Sequence, residues 1–574
     1  MTGSTLFPTD QRNHLRTQPT IAAVGAFLFI LSVALDSCSR QPDFDVVLRN
    51  GLVCDGTGSP CTAGGVAIKG DEIFKTGDVS ADRGRIDIDV RGQVIAPGFI
   101  NVMSGETGLF ADGRGLSDVL QGVTLEIFGE GESMGPLTDD MRSEVQRQQG
   151  DIKYEITWHT LNEGLETLVR HGISPNVASF IGAATPRVNV LGRANRAPTP
   201  AELDQMREIT AKAMRDGALG VASALIYQPG NYANTDELVA LAETSAKYKG
   251  IYISHIRNEG DHEMEAINEL ITIARRAQIP AEIYHLKVAG TKNWDRLPEV
   301  LQKIEAARAE GLQITADMYT YPAGATGLDA AMPPWVQEGG LEAWRKRLQD
   351  PTIRKRVKRE MLTSEKYDNL LRSAGSPDKV LLVGFKSDKL KPLTGKTLGE
   401  VARIRHSTPE DTAMDMVIED DSRVETVYFL MSEDNIRKQI VLPWVSFGAD
   451  ADPEGIDGVF LKSSTHPRAF GNFARVYAHY VRDEMLLTVA EAVRKMTSLP
   501  AGNLGIARRG LLRPGYLADV VVFDPSTIQD HATFDKPRQL ATGVSEVLVN
   551  GVEVVHNSEH TGAKPGRVVK RDRT

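Results

Sequence analysis

Apolar and polar residues alternate in short runs at 46–51, 65–70 and 86–90, punctuated by glycine and by Asn50-Gly51. Period-two alternation broken by turn residues predicts hairpins. The same pattern returns at 518–524 and 547–555, around a second pair, Asn550-Gly551. It predicts one small β-sandwich domain assembled from both chain ends, residues 41–97 plus 501–574. Between them, strand-like runs alternate with amphipathic helical patterns, which implies a parallel α/β sheet. Eight runs stand out: 94–102, 123–129, 177–182, 219–225, 251–257, 281–287, 313–319 and 444–450. Eight is the number that closes a (β/α)8 TIM-like barrel, here over residues 98–500. The helix predicted at 261–277 carries Met264, Ile267, Leu270, Ile271, Ile273 and Ala274 on one face, as an outer barrel helix should. The seventh and eighth runs lie more than a hundred residues apart, too far for a simple crossover. A charged helical stretch at 341–372 and a strand-like run at 426–431 fall in that gap. They predict a lobe inserted at 333–425, beside the rim of the barrel.

The first forty residues follow different rules. Arg12, His14 and Arg16 precede an uncharged apolar run at 21–34, short for a membrane span and right for the core of a secretory signal. The run ends in Leu35-Asp-Ser-Cys38, similar to a bacterial lipoprotein signal whose cysteine is lipidated after cleavage. Residues 1–38 are therefore expected to be a signal peptide, with ordinary cleavage or an uncleaved anchor as the alternatives. Each places the mature protein in the periplasm or on the outer face of a bacterial membrane, touching lipid only through this segment.

Composition narrows the picture further. A chain of 574 residues, 41% hydrophobic and 25% charged, suits a soluble globular protein of two or three domains. Its net charge of −10 argues against a nucleic-acid partner. The basic runs at 354–359 and around Lys570 read as solvated faces. Of three cysteines, Cys38 belongs to the signal. Cys54 and Cys61 form either a disulfide across the turn between them or two free thiols. No third or fourth ligand lies near them for a metal.

The chemistry concentrates at the ends of the predicted strands. Two runs end alike, Ile251-Tyr-Ile-Ser-His255 and Ala281-Glu-Ile-Tyr-His285, and 285 − 255 gives thirty positions between the histidines. That is roughly one strand–helix–strand unit, which places both imidazoles on neighbouring strands at the catalytic rim. Two such imidazoles suggest zinc or a related divalent metal, and a metal site of this kind suggests hydrolysis. The eighth run ends at Asp450, a candidate general base toward metal-bound water, or else a turn residue before Pro453. Glu126, Glu130 and Glu132 lie in a Gly-rich loop after the second run. Glu130, just past the strand end, is the first choice for a third ligand. No Gly-Lys-Ser/Thr follows, so this is not a phosphate loop.

The chain resembles the amidohydrolase superfamily and, within it, the D-aminoacylase (N-acyl-D-amino-acid deacylase) family. The resemblance rests on Val94-Ile-Ala-Pro-Gly-Phe-Ile100, Ser254-His255-Ile-Arg257, Tyr284-His285-Leu-Lys287 and Ala449-Asp450. Ser464-Thr-His466-Pro-Arg468, Val493-Arg-Lys-Met-Thr497-Ser-Leu-Pro500 and His560-Thr-Gly562-Ala-Lys-Pro565-Gly-Arg567 extend it to the C-terminus. It implies a barrel with a composite β domain, and His255 and His285 as ligands of one tightly bound zinc ion. It also implies Asp450 as acid/base, and Arg468 gripping the carboxylate of an N-acyl amino acid, helped by Arg257 and by Tyr319 or Tyr321. A guanidinium binding a carboxylate through two parallel hydrogen bonds is a suitable anchor.

Two departures stand out. The superfamily's His-x-His pair after the first strand is replaced by Asn101-Val-Met103, which argues against a second metal site. The family's cysteine falls on Gly131, so Glu130 would have to serve as the ligand, with Glu132 nearby. The expected activity is zinc-dependent cleavage of N-acyl-D-amino acids to a carboxylic acid and a free D-amino acid. Hydrolysis of a cyclic amide or a dipeptide, and a metal-free barrel that only binds ligand, remain the alternatives.

Overall fold

The structure, a computed structural model, describes residues 43–572; the expected signal segment at 1–38 lies outside the described residues. Among these residues no helix is long and apolar enough to cross a membrane. Eight parallel strands form the centre: β1 Phe99–Asn101, β2 Val123–Phe128, β3 Asn176–Ser179, β4 Gly220–Ala224, β5 Ile251–His255, β6 Ala281–Ile283, β7 Ile314–Met318 and β8 Val445–Phe447. β1 to β3 pair in order, and β4 to β8 pair in order. A short continuation of β3, Ile181–Gly182, pairs with β4. Backbone hydrogen bonds join the two groups at both seams, Leu219 N to Ser179 O at 3.0 Å and Asp450 N to Met103 O at 2.9 Å. The architecture is a TIM-like barrel.

Successive strand residues fall into two separate apolar clusters. Ile251 and Ile253 belong to one, and Tyr252 between them to the other. Such burial on both faces is what a parallel barrel sheet requires. His255 continues the row of Ile251 and Ile253, so the period of two carries it to the end of that row. The helix after β5, Glu263–Ala277, buries Ala266, Ile267, Leu270, Ile271, Ile273 and Ala274, essentially the apolar face read from the pattern.

The first predicted strand, 94–102, divides in the structure. Val94–Pro97 pairs with strands of the terminal sheet, and Phe99–Asn101 opens the barrel. Gly98 makes the crossing, where a Cβ would lie 2.2 Å from Thr124 Oγ1. The chain ends form the expected composite β domain, its nine strands joined in one continuous hydrogen-bonded network. Its order runs Glu559–His560, Val552–His556, Val544–Val549, Val520–Phe523, Val94–Pro97, Phe44–Val53, Thr62–Lys69, Glu72–Gly77. Gly84–Asp89 adds alongside Phe44–Val53.

The two Asn-Gly pairs do different work. Asn550-Gly551 turns a hairpin, whereas Asn50-Gly51 forms a bulge inside one continuous strand. At that bulge the strand exchanges Gly84–Asp89 for Val94–Pro97 as its parallel neighbour. Both asparagines have positive φ, 59° and 50°, which is the conformation Asn tolerates. Cys54 and Cys61 are disulfide-bonded, with Cα atoms 4.4 Å apart.

The inserted lobe begins earlier and closes later than 333–425. Its antiparallel sheet joins Gly324–Gly327, Glu425–Tyr428 and Val380–Gly384. The helical stretch expected at 341–372 is three helices, Leu341–Leu348, Pro351–Thr363 and Leu370–Ala374. Asp350 caps the second through the amides of Thr352 and Ile353, and Pro351 cannot continue the first. The basic run 354–359 is not simply solvated. Arg354 and Lys358 pair with Asp411, and Arg356 lies over the Trp335 ring at 3.8 Å.

Candidate metal centre and active site

The rim of the barrel surrounds a cavity of about 380 Å³. Glu130, His255, Glu259, His285, Lys287, Tyr319, Arg423 and Asp450 are among its lining residues. His255 is the last residue of β5. His285 lies two residues beyond β6, not on the strand, with φ at 38°. Its amide donates to Asp317 Oδ1 on β7 at 2.9 Å, which holds the left-handed turn. The two rings meet edge to face with centroids 4.6 Å apart.

Glu130 completes the group. Its Oε1 lies 3.3 Å from His255 Nδ1 and 3.7 Å from His285 Nε2, and one donor atom from each residue falls within 4.8 Å of the others. Two imidazoles and a carboxylate converging on one point form a donor set that suits zinc. Burial alone would raise the Glu130 carboxyl, but the two adjacent imidazoles outweigh it and hold the group at about 2. The other loop carboxylates are engaged elsewhere. Glu132 pairs with Arg193 at 2.7 Å, and the buried Glu126 accepts from Asn101 Nδ2 at 2.8 Å.

At the positions of the missing His-x-His pair, Asn101 ties β2 to the loop after β8. Its Oδ1 accepts the Ala449 amide at 2.8 Å, and Met103 is buried. Gly131 lines the cavity with no side chain to offer.

Asp450 follows β8 with φ at 52°. Arg468 Nη1 lies 2.7 Å from its Oδ2, with the arginine side chain only 3% exposed. Burial pushes the Asp450 carboxyl above the usual range, against the opposing charges of Arg468 and His285. Arg468 stacks over the Tyr319 ring at 4.5 Å, and its buried Nε has no hydrogen-bond partner. The turn before it is fixed by His466, whose Nδ1 accepts the Arg468 amide at 3.0 Å and whose Nε2 meets Ala323 O at 3.0 Å. Burial and the neighbouring guanidinium hold that imidazole well below its ordinary pKa, so it stays neutral. A second cavity of about 720 Å³ adjoins the first and shares Glu130, Asp450 and Arg423 with it.

Two sequence-predicted binding residues are not brought to either cavity. Arg257 pairs with Glu269 at 2.8 Å and donates to the carbonyls of Asn231 and Ala233. The strand ends at His255, so Arg257 lies in the loop beyond it and turns to Glu269 on the helix that follows. The Tyr321 hydroxyl donates to Asp530 Oδ2 at 3.2 Å, and its ring packs against His466. Tyr321 supports the wall behind Arg468.

Three lining residues were not assigned from sequence. Lys287 lies two positions past His285, and Glu259 four past His255, spacings that an isolated sequence gives no reason to weight. Arg423 comes from the lobe, and pairs with Asp329 while lying over Tyr227 at 4.8 Å.

Residues 170–555 match the amidohydrolase family. The chain is 31% identical over 544 residues to the D-aminoacylase of Alcaligenes xylosoxydans xylosoxydans, covering 93% of this chain and 99% of that enzyme. A solved D-aminoacylase, described as having a binuclear centre with one-metal activation and second-metal attenuation, superposes with a TM-score of 0.76. It is 30% identical, over 92% of this chain and 100% of its own. The N-acyl-D-glutamate deacylase of Bordetella bronchiseptica, solved with zinc and a phosphonate mimic of the tetrahedral intermediate, gives 0.75. Its identity is 28%, over 92% of this chain and 99% of its own. With the family matched across most of the barrel and a relative aligned almost end to end, the chain belongs to the amidohydrolase family.

Proposed function

We propose that this protein is a metal-dependent hydrolase that cleaves N-acyl-D-amino acids to a carboxylic acid and a free D-amino acid. The observation that carries this reading is the convergence of His255, His285 and Glu130 beside Asp450, at the rim where such barrels keep their chemistry. The acyl-D-amino-acid class follows the relatives, which act on D-aminoacyl compounds by their names. His255 Nδ1, His285 Nε2 and a Glu130 oxygen would hold one zinc ion. Asn101 and Met103 offer no imidazole for a second. Bound there, zinc supplies a Lewis acid and a water of lowered pKa.

The side chains divide the remaining work. Asp450 takes the proton of the attacking water on a carboxylate oxygen and passes it to the departing nitrogen. Arg468 binds the substrate carboxylate, supported by its unpartnered buried Nε. Tyr319, packed beneath the guanidinium, fixes its plane. Pairing with Arg468 also aims the Asp450 carboxylate into the cavity. Asp450→Asn tests this division: zinc content stays at the wild-type level while turnover falls about 10²–10⁴-fold. Equal loss of zinc and turnover would move Asp450 from proton carrier to ligand.

The leader supports a second proposal, secretion with a lipid anchor at Cys38. Cell fractionation with labelled palmitate should show the protein in the membrane fraction and labelled. Cys38→Ser should be unlabelled, and an unlabelled wild type would leave ordinary secretion as the reading.

A further inference from the structure

Behind the two histidines, on the side away from Glu130, lies a group that the reaction as derived does not use. Glu259 is buried, 5% exposed. Its Oε1 is 3.0 Å from His285 Nδ1 and 2.6 Å from Lys287 Nζ. Its Oε2 is 3.8 Å from His255 Nε2, a buried nitrogen with no hydrogen-bond partner. Lys287 Nζ also lies 2.6 Å from His285 Nδ1. One imidazole nitrogen is thus contested by a carboxylate and an ammonium.

The contest has a chemical consequence. An ammonium only donates and a carboxylate only accepts. If Lys287 donates to Nδ1 of a neutral His285, the ring proton must sit on Nε2, the nitrogen that faces Glu130. That tautomer has no lone pair for a metal at Nε2. If Nδ1–H donates to Glu259 instead, Nε2 is free to ligate. Glu259 Oε1 can then accept from Lys287 and from His285 together, which draws the ammonium away from the ring. The same carboxylate stands at the non-ligating nitrogen of His255, where it favours the proton on Nε2 and leaves Nδ1 for the metal. A carboxylate behind a ligating histidine fixes tautomer and ring orientation in metal sites generally.

We propose that Glu259 is the positioning residue of this metal centre. It sets the tautomers of both histidines and keeps Lys287 from capturing His285 Nδ1. The inserted lobe takes part, because Asp368 Oδ2 accepts the Glu259 amide at 2.7 Å and locks the segment that carries the carboxylate. This assignment rests on the metal reading above.

The test is a double-mutant cycle read by zinc affinity, from competition with a chromophoric chelator, on the full chain. Glu259→Gln keeps the shape of the side chain and should weaken zinc binding about 10–100-fold. Lys287→Met in the Glu259→Gln background should recover most of that loss, and gain clearly more than the same change does in the wild type. Zinc affinity unchanged within twofold in Glu259→Gln overturns the proposal, as does an equal gain from Lys287→Met in both backgrounds. Should Glu259→Gln fail to fold, nitrogen-15 histidine spectra of the zinc-loaded wild type decide instead. They should show His285 protonated at Nδ1 and His255 at Nε2, and the opposite assignment overturns the proposal. A wild-type protein that binds no zinc overturns the metal reading itself, and this inference with it.

Discussion

Arg468 shows how one side chain can serve two partners at this site. Its guanidinium touches Asp450 and lies on Tyr319, and it lines the larger cavity, where an incoming carboxylate would meet it. Lys in its place keeps the charge but loses the planar fork. Arg468→Lys is therefore expected to raise KM for an N-acyl amino acid about tenfold or more, the cost of one charge-assisted hydrogen bond. Steady-state kinetics check this, and a fall in kcat alone would place Arg468 with proton transfer and not with binding. At this scale the sequence was legible where residue type and strand position coincide, as for His255, His285, Glu130 and Asp450. It misled where only a motif neighbour was available: Arg257 and Tyr321 flank true cavity residues but face away from the cavity. Lys287 lies two positions past His285 with nothing in the sequence to mark it. Its importance comes from a contact with Glu259, on another loop, that no spacing reveals.

The secondary elements pose a different balance, between burial and charge. Glu282 on β6 is fully buried, its Oε2 accepts from Thr315 at 2.6 Å, and its Oε1 has no hydrogen-bond partner. Burial, then the charge of nearby Asp317, pushes its carboxyl up to about 8. A carboxyl whose folded pKa exceeds its unfolded value of about 4.3 favours the fold while protonated. That stability is fully present below the unfolded pKa, declines as pH rises, and is gone above about 8. Each unit of displacement corresponds to about 1.4 kcal/mol, so the loss reaches a few kcal/mol. Glu282→Gln mimics the neutral form, so thermal melts should show it gaining stability over the wild type from pH 6 to pH 9. An equal pH slope in both proteins would contradict the assignment. The Cys54–Cys61 bridge closes a short loop, sequence separation 7, and on chain entropy contributes about 2.5 kcal/mol. Cys54→Ser with Cys61→Ser should lower the melting temperature accordingly and leave zinc affinity untouched. Elements were read well wherever apolar period and length agreed, as in the helix after β5. The run 94–102 was not, because one unbroken apolar stretch serves two sheets and only the crowding around Gly98 reveals the change. Asn50-Gly51 signalled positive φ correctly, but a bulge and a turn require the same dihedral and differ only in their partners.

For the molecule as a whole, barrel and lobe meet around one pair of cavities, and Arg538, from a loop of the terminal domain, lines the larger. The lobe supplies Arg423 to the wall and Asp368 to the segment behind the metal ligands. Neither was legible, since Asp368 lies 109 residues from Glu259 and Arg423 is farther still, and both reach the site only through the fold of the insertion. The order of strands and the location of the rim were legible, because a barrel of alternating strands and helices has few arrangements once eight strands are counted. The central claim is that this arrangement hydrolyses N-acyl-D-amino acids with zinc. The direct measurement is amine release from matched N-acetyl-D and N-acetyl-L amino acids by the protein beginning after Cys38, before and after chelation and with zinc restored. The account predicts release from the D series that is lost on chelation and regained with zinc. Zinc-loaded protein that releases amine from neither series, or only from the L series, would contradict it.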